Sequence, residues 1–234
     1  IKRVEEKYLV ELEKNSWFSK LPSHFQNVLL KHAVTLSVDK DQAVFYSGDV
    51  FDGIYAVLEG AIGLGSINIE GKEAVSAIVE PIVCFGEISL VDEQPRSHHA
   101  IACKKSLLLH IPAQFIYKLV AEQPAFWFHI SQLMSQKLRY VFLELFSIQT
   151  QTMQQRLAQR LLFILQGYGN HLVIKNRTIQ LSQEQLSQML MCSRQTINQE
   201  LQQLEKMNIL KIAFKQIEIL DVQRLHQLTG VPLH

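Results

Sequence analysis

The chain has 234 residues, 47% of them hydrophobic, with 23 Lys and Arg against 22 Asp and Glu. That length suits two modest domains with their own cores, and the composition is ordinary for a soluble globular protein. No apolar run approaches a bilayer span and no secretory signal is visible, while Cys84, Cys103 and Cys192 are too few and too scattered for a disulfide framework or a close-spaced metal site.

The three cysteines therefore read as buried apolar thiols in a reduced cytoplasm. His98 and His99 are the only adjacent histidines, and strand neighbours point to opposite faces, so no metal is expected there. The chain opens on Ile1 rather than Met, which leaves room for an upstream segment.

The segment before Leu36 has a helical pattern and carries Trp17, Phe18, Phe25, Val28, Leu29 and Leu30, expected to pack onto the β-rich region after it. Seven of the ten glycines then fall between Gly48 and Gly86, around β-rich runs at 43–46, 54–58 and 74–79. Many short strands with glycine turns predict a barrel or sandwich. Later positions alternate cleanly, with Ile101 and Cys103, then Leu107, Leu109 and Ile111 on one face, and Pro112 ends the last strand. This makes residues 1–122 a β-roll.

A long helix is expected from near Pro124 to about residue 149, so that 123–149 joins the halves. Within it Met134, Leu138, Val141, Leu145 and Ile148 are spaced four, three, four, three, which is a heptad seam thickened by Phe142 and Phe146. Two copies side by side would bury that seam in a parallel dimer; the alternative is that the stripe packs on its own domain.

Residues 150–234 have a different grammar. A short strand pair is expected at 171–174 and 178–181. After it, residues 182–206 read as two helices broken by a tight turn at Met191 and Cys192, with Ser193 capping the second. Leu186, Met189 and Leu190 hold the first helix to a core, and Ile197, Leu201 and Leu204 hold the second. The outward face of the second is Arg194, Gln195, Asn198 and Gln199, long donors and acceptors suited to base edges in a major groove. Ser182 and Gln183, which open the first helix beside them, and Ser193 are expected to touch the DNA as well. Two further β-rich runs, 208–212 and 216–220, form a wing whose Lys211 and Lys215 would face phosphates.

Charge agrees with this division. From residue 150 onward there are nine Lys and Arg against five Asp and Glu, a net +4, while residues 1–149 carry fourteen against seventeen, a net −3. The partner this implies is double-stranded DNA.

The run Phe85-Gly86-Glu87-Ile88-Ser89-Leu90, followed by Pro95-Arg96-Ser97 and Ala100, resembles the phosphate-binding cassette of cyclic-nucleotide-binding domains. Together with the order roll, cassette, long helix and winged helix-turn-helix, it makes the chain similar to the Crp/Fnr superfamily of bacterial transcription regulators. The resemblance spans nearly the whole chain. It implies an α+β protein that is a homodimer, binds a two-fold symmetric operator and senses a small effector, cyclic AMP or cyclic GMP being the natural class. In the cassette it implies that Gly86 and Ile88 belong to the backbone that approaches a phosphate, that Glu87 accepts from a ribose hydroxyl, and that Arg96 and Ser97 hold the phosphate. It further implies that Arg194 is aimed at guanine, and that an activator of this kind touches RNA polymerase.

Departures from the family pattern limit the analogy. The helix positions used to hydrogen-bond adenine fall, counted without a gap, at Val141 and Phe142, which make no such bonds, although Phe142 can stack on a base. His98 replaces a small residue after Arg96-Ser97, and Gln195 and Gln199 replace a glutamate and a second arginine. The alternative for the cassette is a structural turn in which Arg96 pairs with Glu87 or another internal carboxylate, giving an effector-independent regulator. Another alternative is a cyclic-nucleotide module acting on protein partners. No cysteine cluster for iron and sulfur lies in residues 1–83, and Cys84, Cys103 and His110 form no haem-ligand pattern. No nucleotide-loop, nucleophile-elbow or metal-hydrolase motif appears, so no enzymatic activity is expected.

Overall fold

The structure, a computed structural model, describes residues 5–67, 73–171, 174 and 177–230. It divides into two compact units, residues 1–137 with 169–172, and residues 138–168 with 173–234.

The first unit opens with helix α1 (Glu6–Leu12), a 3-10 turn (Phe18–Lys20) and helix α2 (Ser23–His32). Strands β1 (Val34–Val38), β2 (Ala43–Phe45), β3 (Gly53–Ile67), β4 (Glu73–Val79) and β5 (Cys84–Phe85) follow, then the short helix α3 (Ile88–Val91) and strand β6 (His99–Pro112). Helix α4 (Ala113–Glu122) and the start of helix α5 (Phe126–Thr150) complete it. The antiparallel sheet runs β1-β6-β3-β4, with β2 also on β6 and β5 also on β3.

The expected β-runs are present, but two are fused into longer strands. Gly60, Gly63 and Gly65 do not make turns; they lie inside β3, where its pairing with β6 slips at Val57/Glu59 and Glu59/Ala61. A Cβ at Gly60 would stand 2.1 Å from Ser106 Oγ, so glycine is required by close approach at a bulge. The strand β1 also begins at Val34, inside the segment whose pattern reads as helix.

The aromatic residues ahead of the sheet do pack against it. Trp17, Phe18, Phe25 and Leu29 share one buried cluster with Phe51, Ile54, Leu109 and Ile111, and with Phe126, Ile130 and Leu133 of α5. Asn15 is wholly buried and satisfied: its Oδ1 accepts from the N–H groups of Trp17 at 2.9 Å and Phe18 at 2.7 Å, and its Nδ2 donates to Ile82 O at 2.8 Å and Asn170 Oδ1 at 2.9 Å. The expectation of three buried thiols holds for Cys84, whose pKa is pushed up to about 12 by burial. Cys103 and Cys192 are only half-buried, a correction to that reading.

The second unit takes up the remainder of α5, helix α6 (Met153–Leu165), strand β7 (Thr178–Ile179), helices α7 (Gln183–Leu190) and α8 (Arg194–Lys206), strands β8 (Leu210–Ala213) and β9 (Gln216–Ile219), and helix α9 (Val222–Leu228). Its sheet runs β7-β9-β8. Thr178 and Ile179 pair with the wing strand β9. Much of the expected partner run, residues 172–173, lies outside the described residues, and His171 makes an isolated bridge to Asn15. Among the described residues no helix is long and apolar enough to cross a membrane.

Candidate effector site and nucleic-acid interface

The cassette begins where β5 ends. Gly86 has φ +94°, and a Cβ there would sit 3.1 Å from Arg96 Nη1 and 3.3 Å from Gly53 O, so the turn needs glycine both for conformation and for space. Glu87 and Ser89 are buried, Ile88 is half-buried at the start of α3, and Ser97 is exposed.

Arg96 is 3% exposed; its two terminal nitrogens are paired within the chain, while its buried Nε has no hydrogen-bond partner among the described residues. Nη1 donates to Gly86 O at 2.5 Å, and Nη2 donates to Gly53 O at 2.7 Å and pairs with Asp52 Oδ1. The plane of the group lies between rings, with its central carbon 4.2 Å from the centroid of Phe45 and 4.9 Å from that of Phe51. Asp52 also accepts from Tyr55 Oη, and burial followed by that bond raises the phenol pKa. Glu87 is not the partner of Arg96. Its Oε2 accepts from Lys137 Nζ of α5 at 2.7 Å, at a carboxylate whose side chain is 2% exposed. The structure thus brings Gly86, Glu87, Ile88, Arg96 and Ser97 together, while Phe142 lies further along α5 with its ring exposed.

Neither Asp52 nor Lys137 is legible from the cassette's own sequence. The only signals are two acids, Asp49 and Asp52, inside the Gly48–Gly53 stretch and one cation, Lys137, beside Ser135 and Gln136 between the heptad positions Met134 and Leu138.

His98 sits against this network. Ser97 Oγ is 2.9 Å from its Nδ1, and its buried Nε2 has no hydrogen-bond partner among the described residues. Desolvation, then the cation of Lys137, hold its pKa below the usual value; Arg96 and His99 act in the same direction and Glu87 against it. A base whose pKa is lower in the folded than in the unfolded state contributes stability that is complete above the unfolded value, about 6.5, and is lost as pH falls through the folded one. Denaturant midpoints measured on either side of that value are expected to drop in acid for the wild type and to drop less for His98→Gln. Equal slopes would show that His98 titrates normally.

The second unit carries the DNA motif. Ser182 and Gln185 form a reciprocal capping box on α7. The turn after α7 places Met191 at φ 53°, the left-handed region, which lets α8 start at a sharp angle. Ser193 Oγ then accepts from Thr196 N at 3.0 Å. Leu186, Met189 and Leu190 of α7 and Ile197, Leu201 and Leu204 of α8 are buried, as their spacing requires.

Ser193, Arg194, Gln195 and Gln199 are consequently exposed on one ridge. Asn198 is half-buried and accepts from Gln183 Nε2 at 3.1 Å, a bond that ties the two helices. Lys211 and Lys215 are exposed on the wing. A groove of about 440 Å³ between helices and wing is lined by Ser182, Gln183, Arg194 and Lys215, among others.

Along α5 the heptad positions Leu138, Val141, Leu145 and Ile148 are 43–62% exposed, as are Phe142 and Phe146, while Met134 is half-buried. Such a run of large apolar side chains is left uncovered by the chain itself, against the alternative that the stripe packs on its own domain. On the other side of the helix, Glu144 pairs with the buried Arg160 of α6 and Tyr140 Oη donates to Gln166 Oε1 at 3.2 Å. That side fixes α5 to the unit that carries the reading helix.

Comparison with known proteins agrees with the geometry. Residues 35–123 match the family model of the cyclic nucleotide-binding domain, and residues 155–228 match that of the Crp-like helix-turn-helix domain. The chain is 27% identical over 186 residues to the cyclic AMP receptor protein of Thermus thermophilus, spanning 79% of this chain and 83% of that protein. It is 24% identical over 198 residues to the CRP-like cAMP-activated global transcriptional regulator of Mycobacterium tuberculosis, spanning 84% and 88% of the two. The solved structure of FixK2 from Bradyrhizobium japonicum has the same fold, with a TM-score of 0.74 at 20% identity over 86% of this chain and 99% of that one.

A sensor roll with a cassette turn, a long helix and a winged helix-turn-helix define a DNA-binding transcription regulator that senses an effector. The chain belongs to the Crp/Fnr superfamily of bacterial transcription regulators.

Proposed function

We propose that this regulator acts as a homodimer in the cytoplasm, joined along the apolar stripe of α5, and reads a two-fold symmetric operator with one α8 per half-site. The observation that carries the reading is the exposed ridge Ser193, Arg194, Gln195 and Gln199, displayed by a capped helix next to the cations of the wing. A two-fold pair presents two such ridges to major-groove faces about one DNA turn apart. Gln183 and Asn198 already share a hydrogen bond that fixes the angle between α7 and α8, and Ser182 caps α7.

Arg194 forks onto a guanine, and Gln195 or Gln199 favours adenine. Duplexes enriched from a random pool by the wild type supply the operator for the test. Arg194→Ala is expected to lose about 1–3 kcal/mol of discrimination at one base pair per half-site, with other positions read as before. A uniform weakening on every sequence would make Arg194 a phosphate contact instead.

The effector is a small anion received at the cassette, with cyclic AMP and cyclic GMP the first candidates. What supports a charged ligand is the density of fixed charge there: two ion pairs, Arg96 with Asp52 and Lys137 with Glu87, stand at the cassette, and a phosphate would share or replace Asp52 on Arg96. A second reading, an effector-independent regulator, is supported by the pairing of both terminal nitrogens of Arg96 inside the chain; its buried Nε, which has no partner among the described residues, speaks for the ligand. An activator of this kind meets RNA polymerase at the promoter; no catalytic role is proposed.

A further inference from the structure

We propose that Phe214, at the tip of the wing, is an apolar wedge that enters the minor groove next to the major groove occupied by α8. The proposal rests on the DNA-binding reading above and extends it to a second, chemically different contact.

The wing is a rigid mount for its tip. Leu210 pairs with Ile219, Ile212 with Ile217 and Ala213 with Gln216, and Ile209, Leu210, Ile217 and Ile219 are buried beneath. Ile212 N donates to Glu205 Oε1 of α8 at 2.7 Å, so the hairpin is tied directly to the reading helix. What remains outside the ladder is the turn Phe214-Lys215. Lys215 has φ 53°, a conformation where Gly or Asn is usual, so the turn holds a strained lysine at its tip.

Phe214 is 90% exposed. A single exposed apolar side chain is common and by itself signifies little. Here a cation stands beside it: Lys215 Nζ lies 5.3 Å from the ring centroid, and Lys211, further back on the same hairpin, is exposed opposite Glu218. Phe214 and Lys215 also line the groove that contains Arg194. A phosphate satisfies the lysines and leaves the ring in water. The minor groove satisfies both, because its rims are phosphates and its walls are deoxyribose, and apolar side chains there push between base steps and kink the duplex. Pyrimidine–purine steps yield most readily, so such a step in the flank of each half-site is expected to be preferred although no side chain hydrogen-bonds to it.

The test uses the full chain and wild-type-selected duplexes carrying 2-aminopurine at successive flank positions. Wild type and Phe214→Leu should raise the fluorescence at one flanking step, which reports unstacking, and Phe214→Ala should not. Phe214→Ala should bind roughly tenfold more weakly, the loss expected for one aromatic base contact. Its salt dependence should be unchanged, whereas Lys215→Ala should lower that slope by about one. Phe214→Lys separates wedge from charge, since it should bind without unstacking. Because the ring is exposed, equal thermal midpoints for all variants are expected. The wedge is overturned if Phe214→Ala binds and unstacks as the wild type does, or if the wild type unstacks no flanking step; a continuing Arg194→Ala defect would then leave the DNA-binding reading standing. A wild type that enriches no duplex at all would overturn both. Capture of RNA polymerase that depends on Phe214, with DNA binding unaltered, would overturn the wedge and assign the ring to a protein contact.

Discussion

Val141→Glu combined with Leu145→Glu is expected to convert the protein from a dimer to a monomer and to weaken operator binding roughly a hundred- to ten-thousandfold, the range lost when two linked contacts become one. In the proposed parallel pair each of these positions meets its own copy, so the substitutions set like charges against each other in a seam otherwise filled by Leu138, Phe142 and Ile148. The side chains are 62% and 48% exposed in the single chain, so the exchange removes no packing from the subunit. Any fall in thermal midpoint should depend on protein concentration, because it reflects lost association rather than a damaged core. Sedimentation velocity and a gel shift on the selected operator measure the two effects. A variant that stays dimeric and binds normally would place the dimer contact elsewhere.

Arg96→Ala is the second large effect. It removes a buried guanidinium that donates to Gly86 O and Gly53 O and fills the space between Phe45 and Phe51, leaving buried carbonyls without donors and a gap between rings. A loss of roughly 3 kcal/mol is expected, most of it from those unsatisfied acceptors and the packing, since Asp52 is half-exposed and water can take over its charge. Thermal stabilisation by cyclic AMP or cyclic GMP in the wild type should vanish in this variant. Arg96→Lys keeps the charge without the fork, so recovery of stability but not of the ligand effect would separate the structural role from the binding role. A ligand shift that survives in Arg96→Ala would move the site away from the cassette. If the effector does act through α5 on the reading heads, operator DNA must raise its affinity by the same factor by which it raises operator affinity, and equal effector affinity with and without operator would reject the coupling.

The second unit was the more legible part because its signals are local. Helix α8 is fixed by a cap at Ser193 and by Ile197, Leu201 and Leu204 at helical spacing, all within a few residues of one another, and the outward ridge follows by subtraction. The wing follows in the same way, although the assignment of Thr178 and Ile179 to its sheet depends on a pairing with residues far along the chain. In the sensor the long strand β3 hid behind its glycines. Gly60 reads as a turn in sequence and is a bulge in space, because what decides between them is the closeness of Ser106 on another strand.

The cassette divides along the same line. The run from Phe85 to Ser97 is legible through its resemblance to the phosphate-binding cassette of cyclic-nucleotide-binding domains. Which group Arg96 holds was decided by Asp52, and which cation neutralises Glu87 by Lys137, each brought from a distant part of the chain. The sequence by itself therefore determined the kind of protein, through that resemblance and the order of its elements, and the outward ridge of α8 and the apolar stripe of α5, which periodicity and capping set. Only the tertiary structure decided how the charges pair and where the strands bulge, because both depend on distances between residues that chain order does not constrain.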